Sequence, residues 1–226
     1  MNVSRLSRRE LLMLAGATGV ASLLAERSRA VGQPTLPDRD KGPDLQKSMI
    51  WTSAPSPANT HFVAFRKQFN LPDAPHDALL SLFADVRYLL WINGEYVTRG
   101  PARFQPEGPE YDTVQVGPSL KAGSNTLVVL VMANASNGKM MQHAPGLTAR
   151  LDVTGLQGTR TVVSTDNTWK WSGQTRYREP QIDWGNAMDV IDSTVEDGDW
   201  TRPEYHDGAW KSAAKIAGSQ WGPLSA

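Results

Sequence analysis

The stretch Tyr88-Leu89-Leu90-Trp91-Ile92-Asn93-Gly94-Glu95-Tyr96-Val97-Thr98-Arg99-Gly100-Pro101 decides the fold. An apolar and aromatic run enters Asn93-Gly94, and a second strand-like run, Glu95 to Thr98, leaves it. Asn-Gly between two such runs marks a β-hairpin, because both central residues of a type I′ turn need positive φ. Working outward, the chain reads as short strands separated by turn residues, with no strongly amphipathic helix longer than two turns. Met49 to Thr52 and His61 to Phe69 read as strands; His61, Val63, Phe65 and Phe69 share parity and make one face of the second mostly apolar. Ala78 to Ala84 is an apolar run of the kind a strand buried on both faces carries. Leu147 to Val153 alternates, Gly155 to Gly158 turns, and Arg160 to Ser164 returns. Short strands at this spacing predict an all-β, jelly-roll-like antiparallel β-sandwich.

Downstream of the hairpin, Tyr111-Asp112-Thr113-Val114-Gln115-Val116 leads through Leu120-Lys121-Ala122-Gly123-Ser124-Asn125 into the apolar strand Thr126 to Val131. Further on stand Thr165-Asp166-Asn167-Thr168-Trp169-Lys170 and Tyr205-His206-Asp207-Gly208-Ala209-Trp210. This ordered series resembles the N-terminal β-sandwich module of bacterial α-L-rhamnosidases. The last segment is similar to the Phe-Asp-Asp-Ser-x-Trp stretch of sugar-binding sandwiches in glycoside hydrolases, with Tyr205, His206 and Gly208 as departures. The resemblance covers about Trp51 to Trp221 and implies a galactose-binding-domain-like sandwich. In those enzymes a large helical barrel with the catalytic carboxylates follows the sandwich. No segment of this chain supplies one, so it is expected to be a fragment, a truncated product or a free-standing accessory module, and the barrel is its expected partner. By this resemblance Arg99 to Arg103 is a structural turn, while Asp112 is expected to anchor its strand through a nearby backbone N–H.

The first thirty residues read as an export address. Ser7-Arg8-Arg9-Glu10-Leu11-Leu12 is a twin-arginine pattern at Arg8 and Arg9, followed by an uncharged run to Leu24 and small residues at Ser28-Arg29-Ala30. The run is about fourteen residues, short of the roughly twenty needed to span a bilayer. Residues 1–30 are therefore assigned as a twin-arginine signal peptide, 31–47 as a disordered linker rich in Pro, Asp and Gly, and 48–226 as the sandwich, exported to the periplasm or beyond. The chain has no cysteine, which excludes a thiol nucleophile or a lipoprotein anchor and fits folding before export. Of 23 basic and 23 acidic residues, five arginines and two glutamates fall in the signal, leaving the rest at −3. That balance gives no footprint for nucleic acid or an anionic membrane.

Binding candidates follow from the chemistry of sugars. Asp183-Trp184-Gly185-Asn186 combines an acceptor, an aromatic face, a tight turn and an amide, so Asp183, Trp184 and Asn186 form the leading carbohydrate site; the alternative is a loop packed against the sheet. Trp169 and Trp171 are two apart and share a strand face, as a stacking platform or as cover for the core or the absent barrel. The ligand implied is a carbohydrate, with L-rhamnose-containing glycans first. Some modules of this resemblance use an Asp–Asn pair with calcium; no such pair matches here residue by residue, so no metal or cofactor is assigned, with calcium as the alternative the resemblance leaves open. Asp197-Gly198-Asp199 lacks the spacing and bidentate Glu of a calcium loop. Glycoside hydrolysis needs two carboxylates at defined separation. Glu179, Asp183, Asp189, Asp192, Glu196, Asp197 and Asp199 are the acidic candidates, and turn chemistry is their other reading. The sequence thus predicts a non-catalytic carbohydrate-binding or accessory module; the alternatives are a purely structural domain docking the barrel, or a small glycosidase.

Overall fold

The computed structural model describes residues 44–54, 60–133, 145–155, 158–183 and 186–226, and the side chains among them other than those of residues 182–187. The signal segment with Arg8 and Arg9, and residues 31–43 of the expected linker, lie outside the described residues. The end of that linker is part of the sandwich. Residues Leu45–Ser48 form a 3-10 turn with Leu45 buried, because Leu45 packs beside Met49, Phe83 and Trp221.

Among the described residues fourteen strands follow: β1 (Ile50–Trp51), β2 (His61–Leu71), β3 (Asp77–Asp85), β4 (Arg87–Ile92), β5 (Glu95–Gly100), β6 (Asp112–Gln115), β7 (Gly123–Ala133), β8 (Gly146–Gly155), β9 (Gly158–Ser164), β10 (Lys170–Ser172), β11 (Tyr177–Asp183), β12 (Asn186–Ile191), β13 (Lys211–Ser212) and β14 (Ala214–Lys215). They build a β-sandwich of two six-stranded sheets and one separate hairpin. The first sheet runs β14-β1-β8-β3-β6, with β9 also paired to β8; the second runs β13-β10-β2-β7-β4-β5; β11 and β12 pair with each other. The named strand pairs are all antiparallel, and β2 with β7 forms the longest ladder, from His61↔Ala133 to Leu71↔Gly123.

The Asn-Gly hairpin forms as its chemistry demands. Asn93 sits at φ 53° and Gly94 at φ 89°, joining β4 to β5. Asn93 also reaches beyond its own turn. Its Oδ1 accepts from the Thr126 N–H at 2.9 Å, and its Nδ2 donates to Ser119 O at 2.8 Å and to Asn125 Oδ1 at 2.9 Å. Asn125, fully buried, closes the Lys121–Asn125 turn by accepting from the Lys121 N–H and donating to the Lys121 and Gly123 carbonyls. Two turns thirty residues apart in sequence therefore share one amide contact, which sets β4 beside β7.

The main core lies between the sheets. Val63, Phe65, Leu90, Ile92, Leu127, Val129 and Val131 from the second sheet meet Leu80, Leu82, Leu147, Ala149 and Leu151 from the first, all nearly inaccessible to water. Alternation predicts that the opposite face of β2 is solvated. It is not: Phe62, Ala64, Val128, Leu130 and Met132 are buried beneath Trp200, with Trp91, Tyr177, Tyr205 and Trp210 around them. The cover is the segment Trp200 to Trp210, whose lack of periodicity hides its role in the sequence, together with the β11–β12 hairpin, whose Tyr177 ring lies 5.2 Å from Phe62.

Arg66 fastens this cover. The residue is 1% exposed, yet each of its three guanidinium nitrogens donates a hydrogen bond. Its Nε donates to Trp200 O, Nη2 to the Arg202 and Pro203 carbonyls, and Nη1 to Asp207 Oδ2 at 2.6 Å. The other Asp207 oxygen accepts from Lys170 Nζ at 2.7 Å. A charge taken from water is tolerable only when paired and hydrogen-bonded in this way. Burial alone would raise the Asp207 carboxyl, but the Lys170 and Arg66 donors hold it below its ordinary 3.8. A lowered folded-state value means the stabilisation is complete above about pH 3.8 and lost as pH falls through the lower, folded value. Asp207→Ala leaves Arg66 buried and unpaired, and is expected to cost about 3–5 kcal/mol in urea unfolding at neutral pH. The gap between variant and parent should narrow as the pH falls below about 3.8; an unchanged midpoint at neutral pH would refute the role given to Asp207.

Candidate functional site

Of the predicted binding residues, Asp183 and Asn186 stand on β11 and β12. Their backbones pair at the closing register of the two strands. Residues 184–185, and the side chains of Asp183 and Asn186, lie outside the described residues.

The two remaining tryptophans are elsewhere. Trp169 is fully buried in the inter-sheet core, and its indole N–H donates to Ser164 O at 3.0 Å. Trp171 pairs with Phe65 across β10 and β2, and packs half-buried against the same core. Its N–H donates to Ser212 O at 3.2 Å and Ser53 Oγ at 3.3 Å, while the Lys211 ammonium lies 5.6 Å from the ring centroid. The shared face expected from their spacing is the core face. No sugar reaches Trp169 there, so the pair is no open platform.

Four of the seven acidic candidates, Asp189, Asp192, Asp197 and Asp199, sit in ion pairs or turns. Asp197 is nearly buried and accepts from the Arg176 backbone N–H, the Arg176 guanidinium and the Trp200 indole N–H. Burial would raise its carboxyl, but those donors hold it below the usual range. Asp199 is lowered first by the Thr201 hydroxyl, with Arg202 adding to it, and Asp192 is lowered chiefly by Thr194. Asp189 pairs with Arg87. A glycosidase acid needs a raised value, and these shifts run the other way. The Asp197 and Asp199 oxygens already face cationic and N–H donors, so this loop does not fit a calcium ion. Among the described residues no group of three or more His, Asp or Glu side chains could hold a metal.

A polar cleft that the sequence did not reveal lies beside the Asn-Gly hairpin. It encloses about 310 Å³ between β4, the end of β5, the start of β6 and the β11–β12 hairpin, with Arg87, Leu89, Arg99, Asp112 and Asp189 on its walls. Gly100-Pro101-Ala102 closes one side. Arg87 donates to Asp189 and reaches the Met132 sulfur at 3.4 Å. Asp112 does not bond a backbone N–H as its strand position suggested; its Oδ2 accepts from the Tyr88 hydroxyl. Burial first, and then this carboxylate, push the Tyr88 hydroxyl far above its ordinary value, so it stays a donor. Gly100 explains the close approach: a Cβ there would stand 2.0 Å from Asp112 Oδ2 and 2.8 Å from the Tyr88 oxygen. A glycine inside a strand was the one sequence signal of such a contact.

The sequence profile of the α-L-rhamnosidase N-terminal domain family matches residues 76–222. An α-L-rhamnosidase of Formosa agariphila is 27% identical over 159 residues, covering 65% of this chain and 17% of that protein. One of Streptomyces avermitilis is 30% identical over 187 residues, covering 80% of this chain and 15% of that protein. The chain thus spans about a sixth of the length of these relatives. The crystal structure of a GH78 family rhamnosidase of Bacillus sp. GL1 superposes with a TM-score of 0.71 at 31% identity, over 81% of this chain and 20% of that one.

Gly100→Ala is expected to break the Tyr88–Asp112 contact and cost about 1–3 kcal/mol in chemical unfolding, as overpacking does. A variant as stable as the parent would show that Asp112 can swing away freely.

Proposed function

We propose that this chain, which belongs to the α-L-rhamnosidase N-terminal domain family, is the accessory carbohydrate-binding sandwich of an exported α-L-rhamnosidase-like glycoside hydrolase. One observation carries the reading: Asp189, Asp192, Asp197 and Asp199 are engaged in ion pairs and turns, while a polar cleft stays open beside the Asn-Gly hairpin. A module of this kind holds a glycan near a catalytic domain, and the barrel of the longer relatives is the natural partner. The hydrogen-bonding groups of a sugar site suit hydroxyls arrayed in fixed directions, and apolar walls suit the C–H faces of the ring.

A second reading, docking against the barrel alone, draws on Met188 and Ile191, which are both more than half exposed on β12. Tryptophan fluorescence of the chain titrated with L-rhamnose and L-rhamnose-terminated oligosaccharides, with and without calcium, separates the two. Saturable quenching by one sugar is expected. A flat response to every sugar, in both buffers, would leave docking as the function.

Export through the twin-arginine route belongs to the same proposal, on the strength of Arg8 and Arg9. A reporter fused to residues 1–47 is expected to reach the periplasm, and Arg8→Lys with Arg9→Lys to retain it in the cytoplasm. Equal export of both forms would reject the route.

A further inference from the structure

We propose that the cleft between the β4–β5 edge and the β11–β12 hairpin is a subsite for one neutral sugar ring that carries an apolar edge, a 6-deoxyhexose in preference to its 6-hydroxyl counterpart. The inference rests on the carbohydrate-binding reading above and gives it a place distinct from the Asp183–Asn186 turn.

Five observations carry it. The Arg99 guanidinium, exposed at the cleft, makes no hydrogen bond or ion pair among the described residues, so its donors are free for a ligand. Asp112 and Asp189 each commit one oxygen, to Tyr88 and to Arg87, and the second oxygen of each accepts no protein hydrogen bond among the described residues. The walls thus offer free donors and free acceptors within one small space, which a hydroxyl, being both, can bridge. The charges cancel, two guanidinium groups against two carboxylates, which favours a neutral polyol over an acidic sugar. The remaining side chains of the lining, Leu89, Pro101 and Ala102, carry no polar atom and offer a hydroxyl no partner of their own, whereas a methyl group is at home beside them. At about 310 Å³ the space is at the small end of ligand pockets, room for one ring and not for a chain.

The acceptors are also fixed in place. Asp112 is held by the buried Tyr88 hydroxyl and by the bare backbone at Gly100, and Asp189 is held by Arg87. A ligand meeting groups already ordered loses less freedom on binding than one that must order them.

Arg99 is the residue to test, because nothing in the fold depends on its side chain. Saturation-transfer NMR with the full chain reads binding of L-rhamnose, of L-mannose, which differs by the 6-hydroxyl, and of D-galacturonate as the acidic probe. L-Rhamnose is expected to bind, L-mannose to bind at least about tenfold more weakly, and Arg99→Ala to weaken L-rhamnose about tenfold or more, since hydrogen bonds to charged groups are the stronger class. Arg103→Ala, in the loop that follows β5 and outside the cleft, should bind as the parent does. If L-rhamnose binds and Arg99→Ala has no effect, the subsite is wrong while the carbohydrate reading stands. If D-galacturonate binds in preference, the neutral class is wrong. If no sugar binds the parent, both fall.

Discussion

Arg66 is the constraint on which the rest of this molecule depends. A guanidinium sealed from water is tolerable only where its donors meet acceptors, and here those acceptors come from Trp200, Arg202, Pro203 and Asp207, more than 130 residues away in sequence. One side chain on β2 thereby decides where the C-terminal segment lies. That segment converts the outer face of the second sheet from an apolar surface into a second core, with Trp200 over Phe62, Val128 and Leu130. Lys170 reaches the same carboxylate, so β10 is tied to the same point. The two motifs that resemble glycoside-hydrolase sandwiches, Thr165 to Lys170 and Tyr205 to Trp210, therefore meet at one salt-bridged cluster. Their chemistry is architectural: Trp169 fills the inter-sheet core, Tyr205 packs beneath the Arg66 guanidinium, and Asp207 joins the two cations.

The sequence displays whatever is set by neighbours along the chain and conceals whatever is set by partners far away. The Asn93-Gly94 turn was legible because its requirement for positive φ is local. The strands β2, β3, β4, β7, β8 and β9 were legible because their alternation or apolar runs are local too. The double burial of β2 was not, because Phe62 and Ala64 are covered by a segment without periodicity. The linker ends earlier than composition suggests for the same reason: Leu45 is surrounded by polar residues in sequence and by Phe83 and Trp221 in space. The role of Asp112 was misread because its partner, the Tyr88 hydroxyl, comes from another strand. The spacing of Trp169 and Trp171 gave the right shared face, while nothing in that spacing says whether the face meets solvent or core.

Family membership fixes the type of module, and the chain spans about a sixth of its curated relatives, so activity belongs to the proposal and to the longer proteins. Within this chain, electrostatics separates two kinds of polar residue. Asp192, Asp197, Asp199 and Asp207 are held below the ordinary carboxylate value by donors that also fasten turns and the Arg66 cluster. Arg99 and the free oxygens of Asp112 and Asp189 hold nothing together, and they gather in one cleft. Polar groups that contribute nothing to the fold and converge on one space are where recognition belongs.

The most direct measurement is hydrogen–deuterium exchange on the parent and on Arg66→Met. If Arg66 fastens the cover, backbone amides of residues 200–213 lose protection in the variant while those of the β3–β8 ladder keep theirs. Equal protection of residues 200–213 in both proteins would contradict the account, because the cover would then be held by its apolar contacts alone.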